Sequence, residues 1–307
     1  MKQHTLLWFL FGTLLLGSCE KVVEFKVEEM APQLVLVSKP ECDSTLCVSL
    51  HYSRFFLDQN PFRPVENASV TLWYNGQQVP QAAADTGFYR FSRAAQAGDS
   101  LSVEVYVPGF DTVRAVTQVP DRPRVTLVEA LADSLYQYGF HTYSVSATLR
   151  LHAVDELTHF QLRFRGVQRR YIYDDMGLEV VDSVLVYDAA RFGYNDSLLV
   201  DVPTISSEFS YGHELRFTNQ KFLGQEHDVT VSLTFLTREA FELFVNNNME
   251  LEVSVLSPEL YRYIEDTEAN LNLTAYMSEP VQIHNNVTHA LGIFGGMSRR
   301  RLPVVLD

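Results

Sequence analysis

The most reactive side chains in this chain are three cysteines, and their settings point to two different chemistries. Cys19 follows a basic start at Lys2, an apolar run from Leu6 to Leu16 and the small pair Gly17-Ser18. That run is too short for a bilayer, which takes about 20 residues. With a basic front and a small-residue end it reads as a secretory signal. Leu16-Gly17-Ser18-Cys19 matches the lipobox at which bacterial lipoprotein signals are cut. Removal of residues 1–18 and lipidation of the Cys19 sulfur are therefore expected, and two or more acyl chains anchor stably where one does not. The plainer reading is an ordinary signal followed by a chance cysteine. Cys42 and Cys47 remain as an even pair, five apart, in an exported chain where disulfides persist. A local Cys42–Cys47 bridge across a hairpin turn is expected, with two free thiols as the alternative.

Beyond sulfur the search for chemistry yields little. The nine histidines are scattered, and there is no His-Glu-x-x-His, no Gly-x-Ser-x-Gly and no phosphate-binding glycine loop. No second Cys/His pair has zinc-ligand spacing, so neither a metal nor a cofactor is expected. His284 and His289 flank Asn285-Asn286 and read as loop residues rather than ligands. Asp174-Asp175 and Asp58-Gln59-Asn60 lack the regular spacing of a calcium loop. Arg299-Arg300-Arg301 reads as a solvated turn, with pairing to nearby acidic residues or a partner as the alternatives. Trp73, Tyr136 and Tyr138, with Phe140 and Tyr143, are candidates for a platform that stacks on the apolar faces of sugars. Strands also favour aromatic residues for packing alone. Five pairs, Asp99-Ser100, Asp111-Thr112, Asp133-Ser134, Asp182-Ser183 and Asp196-Ser197, precede apolar residues. They resemble O-glycan acceptors, and they are equally ordinary turn pairs.

Composition bounds what can hold these residues. A formal charge of −14 argues against nucleic acid or anionic lipid headgroups as partners. A hydrophobic content of 46%, with 20 Phe and 15 Tyr, is that of a packed β-rich protein. Residues 19–33 read as a tether. Alternating runs at 34–38, 46–52, 67–74, 87–91, 101–107 and 112–119 then recur about every ten residues, with turns between them. Asn75-Gly76, directly after Ala68, Val70, Leu72 and Tyr74 on one face, is a type I′ hairpin signal. This pattern resembles an immunoglobulin-like sandwich of the transthyretin type over 34–120. Pro120 and Pro123 mark a boundary. A larger antiparallel β domain is expected over 121–307, with strands near 124–128, 142–152, 160–164, 168–173, 180–187, 214–217, 229–236 and 250–256. Residues 238–245 are open between helix and strand. Ser257-Pro258-Glu259 starts one helix near 258–270. Val281 and Ile283 alternate as a strand, and the glycines of Leu291-Gly-Ile-Phe-Gly-Gly296 permit close backbone approach.

The two ends carry a family likeness. Cys19-Glu20-Lys21-Val22-Val23 near the start joins Ser257-Pro-Glu-Leu-Tyr-Arg-Tyr263 and Ser278-Glu-Pro-Val-Gln-Ile283, Asn286-Val287 and Leu291–Gly296 near the end. The chain thus resembles the Bacteroidota lipoproteins grouped as domain of unknown function 4249. That resemblance implies an envelope lipoprotein with no established activity, encoded beside TonB-dependent outer-membrane receptors. The expected function is a non-catalytic, lipid-anchored outer-membrane protein that supports, or binds ligand for, a TonB-dependent transporter. The membrane face stays open between periplasm and cell surface. A stand-alone glycan- or protein-binding adhesion module is the alternative, and an enzyme whose site is assembled from distant residues is a third.

Overall fold

The computed structural model describes residues 31–306 except 56–57, 59, 138, 175–176, 178, 195, 197, 200–209 and 272–281. Period-two alternation builds the first module. β1 (Leu34–Ser38) buries Leu34, Leu36 and Ser38, and β2 (Thr45–Tyr52) buries Leu46, Val48 and Leu50. β3 (Ser69–Tyr74) turns through Asn75-Gly76, at φ 51° and 78°, into β4 (Gln77–Val79). β5 (Gln81–Asp85) and β6 (Phe88–Ala94) form a second hairpin, β7 (Ser100–Tyr106) and β8 (Val113–Gln118) a third. β5 is exposed throughout, so no hydrophobic pattern announces it; only pairing to β6 makes it a strand. One sheet runs β5-β6-β2-β1 and gains a fifth strand, Leu291–Phe294, from far along the chain. The other runs β4-β3-β7-β8, and the two close over a core holding Leu72, Tyr74, Tyr89 and Phe91.

The second module is larger. Its first sheet contains β9 (Val125–Gln137), β10 (Phe140–Leu151), β13 (Phe192–Tyr194), β14 (Ser210–Gly212) and β16 (His227–Phe235), ordered β14-β13-β16-β10-β9. Its second contains β11 (His159–Tyr173), β12 (Val180–Ala189), β17 (Glu250–Leu256) and β19 (Met297–Pro303), ordered β12-β11-β17-β19, with β15 (Leu215–Thr218) also on β11. Leu149, Phe164, Phe192 and Phe217 lie in the shared core. The mostly β reading of the sequence, a sandwich followed by a larger antiparallel domain, holds. β11 is continuous where two strands were expected. Its middle residue, Gly166, leaves room for the Phe244 ring, whose Cζ lies 2.7 Å from where a Cβ would stand. The open segment is a helix, α1 (Arg238–Val245), whose N-cap Thr237 accepts from the Ala240 amide at 3.2 Å. The expected helix is α2 (Pro258–Leu271), capped by Ser257. Val281 lies outside the described residues, and Ile283 is in irregular backbone rather than the expected strand. No helix among the described residues is long and apolar enough to cross a membrane.

The glycine-rich stretch joins the modules. β18 (Leu291–Phe294) pairs in parallel with β1, placing Leu291 opposite Val35 and Phe294 opposite Ser38. Gly295 then passes Leu260 of α2, where an added Cβ would fall 2.6 Å from the Leu260 Cβ. Gly296 lies against the backbone of Gln118 and Val119. Its amide donates to Thr117 Oγ1 at 3.0 Å, and its carbonyl accepts from the Ser257 amide at 2.8 Å. The next residue opens β19 in the other module. Residues 121–123, where a boundary was expected, lie between β8 and β9. Val287, Ala290 and Phe294, however, pack in the first core, although they fall within the 121–307 range read as one domain. The outer edge of β1 supplies the open backbone that draws them there.

Candidate functional site

Two hairpins project from the second module. Along β10, Val145, Ala147, Leu149 and Leu151 are buried, and the same face continues outward through Tyr143 and His141. His141 lies opposite Tyr136 of β9, with ring centroids 4.6 Å apart. His141 stacks on Tyr143 at 6.4 Å and Tyr143 on Phe241 of α1 at 5.4 Å. Phe241 meets Phe235 at 5.9 Å, Phe235 meets Phe244 at 5.4 Å, and Phe244 meets Phe164 at 5.7 Å. An aromatic row thus runs from the core to Tyr136, which is 63% exposed. Its rooted inner end fixes the outer rings, as a stacking surface requires.

The β11–β12 hairpin is apolar on both faces. Tyr171, Leu185 and Tyr187 share one face, while Ile172 and Val184 share the other. All are exposed, as are Tyr173, Val180 and Val181. Together with Val128, Leu131, Leu135 and Tyr136 of β9 they make up more than half of the exposed large apolar side chains among the described residues. Isolated exposed apolar residues need no explanation, but a concentration of them marks an interaction surface. β9 and β12 are also edge strands, with one side of the backbone ladder open. Arg169 pairs with Glu239 at 2.9 Å and Arg170 with Asp188 at 2.9 Å, holding the base of the hairpin to α1 and to itself.

The sequence candidates scatter. Cys19 and Tyr138 lie outside the described residues. Trp73 is half-buried on β3 of the first module, so it and Tyr136 do not form one platform. His141 and Phe241 belong to the row but were not recognised together; continuing the period-two pattern of Val145 and Ala147 back to Tyr143 and His141 finds the first. The expected Cys42–Cys47 bridge is not formed, and both are free thiols. Cys42 bridges toward Ala95 and packs on the first core, whereas Cys47 sits between inward-facing Leu46 and Val48 and points the other way. Burial pushes the Cys47 thiol up, away from the reactive thiolate. Asp58 takes the Asn60 amide at 2.9 Å in a simple turn. His289 Nδ1 lies 3.2 Å from the Thr112 carbonyl, and no group of three or more His, Cys, Asp or Glu among the described residues is placed to hold a metal.

Arg299–Arg301 is not a solvated turn but part of β19, with Arg299 and Arg301 on the outer face of its sheet. Register places Glu252 of β17 between Arg163 and Arg301, with Arg165 and Arg299 on the diagonals. Glu252 is 1% exposed. Its Oε2 accepts from Arg165 at 3.0 Å, Arg301 at 3.1 Å and Arg299 at 3.3 Å, and Arg163 lies 3.7 Å from Oε1. Burial alone would push its pKa up; Arg299, Arg165 and Arg301 outweigh that and hold it below the ordinary value. Around it Glu214 accepts from Arg163 at 2.6 Å, and Arg216 pairs with Glu214 and with Glu268 of α2. Arg299 Nε lies 3.3 Å from Glu41 of the first module, close but not aligned for a hydrogen bond. This network is an internally paired lock between the sheet, α2 and the first module.

Comparison with known proteins adds one assignment. No curated protein matches the chain. A solved structure of the Enterococcus faecalis MSCRAMM ACE, which binds its ligands by the collagen Hug model, shares 8% identity over 91% of this chain and 95% of that one. Its TM-score of 0.19 is too low to bear on fold or function. A family model described as Domain of unknown function (DUF4249) matches residues 20–302. The chain therefore belongs to the DUF4249 family.

Proposed function

We propose that this chain is a non-catalytic, lipid-anchored outer-membrane protein that docks on a TonB-dependent transporter through the two hairpins of its second module. The observation that supports the reading best is the concentration of exposed apolar side chains on β9, β11 and β12. Open strand edges beside them suit backbone pairing with a partner. The lipobox at Leu16–Cys19 supplies the anchor in this reading, and the transporter is the partner that the family likeness implies.

Photo-crosslinking in native membranes tests it. A photoreactive residue at Leu135 or Leu185 is expected to capture a transporter, while one at Val116, 67% exposed on the first module, is not. Equal capture from all three positions, or none from Leu135 and Leu185, would count against the proposal. Leu135→Ser and Leu185→Ser should leave stability within about 0.5 kcal/mol of the parent, as for other exposed positions, yet reduce capture. The row Tyr136, His141, Tyr143 favours a second reading, a stand-alone glycan-binding module. Retention on a glycan array that Tyr136→Ala abolishes, with no transporter adduct, would select it.

A further inference from the structure

A cavity of about 670 Å³ opens where the C-terminal end of α1 meets β17 and β19. It lies away from the hairpin tips and has the size usual for a small-molecule site. Val245, Val304 and Val305 give it an apolar wall, and Tyr187, Glu250 and Arg301 supply its charged and polar groups. Glu250 and Arg301 stand on the same face of the sheet as diagonal neighbours, because Glu250 is opposite Pro303 and Glu252 opposite Arg301. Opposite charges so placed ordinarily pair. Here no ion pair among the described residues joins them.

Each is instead held from behind. Arg301 Nε donates to Glu252, fixing the guanidinium plane, and no acceptor among the described residues takes its Nη donors. Glu250 Oε2 accepts from the Tyr187 hydroxyl at 2.5 Å, and its Oε1 receives no donor among the described residues. The Tyr187 ring in turn lies under the Arg165 guanidinium, 4.9 Å from its centroid. A held guanidinium offering two N–H groups suits a carboxylate. A held carboxylate with one free oxygen suits an ammonium. A valine-lined wall beside both suits an apolar side chain.

We propose that this cavity binds a small apolar zwitterion, a free α-amino acid with an aliphatic or aromatic side chain. Its carboxylate meets Arg301, its ammonium meets Glu250, and its side chain lies against Val245 and Val304. Tyr187 is shared with the base of the β11–β12 hairpin, but docking is tested at Leu135 and Leu185 and the cavity at Glu250, Arg301 and Val305, so the failure of one reading is distinguishable from the failure of the other.

Calorimetric titration of the purified chain with leucine, phenylalanine, N-acetyl-leucine and leucinamide separates the charges. Leucine and phenylalanine are expected to bind, and each single-charge analogue to bind at least about tenfold more weakly. Glu250→Gln should bring leucine down to the affinity of N-acetyl-leucine, and Arg301→Met down to that of leucinamide. Glu252 keeps three arginines when Arg301 is lost. If Arg301→Met nevertheless fails to fold, Val305→Trp, at a rim position 74% exposed, fills the mouth without touching the charges. It should abolish binding at an unchanged melting temperature. Analogues that bind as tightly as leucine, full affinity in Val305→Trp, or no heat up to about 10 mM amino acid would each overturn the proposal.

Discussion

Glu252→Gln is expected to destabilise the protein by about 3 kcal/mol, near the lower end of the range for breaking a buried ion pair from one side. The shape is kept and the charge is lost. Arg163, Arg165, Arg299 and Arg301 would then face each other across β11, β17 and β19 with no carboxylate at their centre. The guanidiniums remain partly exposed, 21% to 48% by side chain, so water offsets some of the repulsion; that places the effect at about 3 rather than 5 kcal/mol. The same group sets an acid limb. Its folded pKa is depressed, so its contribution is complete above the ordinary value of about 4.5 and is lost as pH falls through the folded value. Glu214, also held down, acts in the same window: burial opposes its charge but Arg163 and Arg216 prevail. Urea denaturation at pH 7 and at pH 3 should show a large gap between parent and Glu252→Gln at the first and a smaller one at the second. A Gln protein as stable as the parent at pH 7 would mean the cluster is decoration.

Gly292→Val should be the other severe change, costing about 3 kcal/mol or more from strained backbone and overlap together. Gly292 sits at φ 124°, and a side chain there would strike the Leu36 carbonyl, the strand it pairs with. Gly109→Val is the control. It too has positive φ, 88°, but nothing lies within 4 Å of the added Cβ, so only the conformational cost of about 1–2 kcal/mol applies. Hydrogen exchange would locate the damage. Amides of Leu36 and Ser38, the β1 residues that face β18, should lose protection in Gly292→Val and keep it in Gly109→Val. Equal melting of the two variants would refute a specific role for the close approach.

Much of the fold can be read from local pattern, because half-buried strands print their alternation on the sequence: Leu34 to Ser38 and Ser69 to Tyr74 are examples. What is not legible is whatever lacks a buried face. β5 is five exposed residues, and the outer half of β9 runs on beyond the core, so its length was underestimated. Distance along the chain hides the rest. Glu252 and Arg301 are ordinary charged residues until register sets them opposite each other. Cys42 and Cys47 show the converse. Spacing suggested a bridge, but alternation within β2 turns Cys47 outward while Cys42 packs inward. The glycines of Leu291–Gly296 were correctly read as a place of close approach, yet which strands approach could come only from the fold.

The pairing of β18 with β1 also sets an order of assembly. The first strand of the first sandwich waits for a partner that is made only after every strand of the second sandwich but β19. A chain emerging from its N-terminus therefore holds β1 as an unfinished edge throughout synthesis, with Val287, Ala290 and Phe294 still missing from the core beneath it. Closing so long a loop is slow, and the open edge is sticky while it lasts. The two modules are thus sequential in space but not in time: neither can be completed, or released from a chaperone as finished, before the last strands arrive.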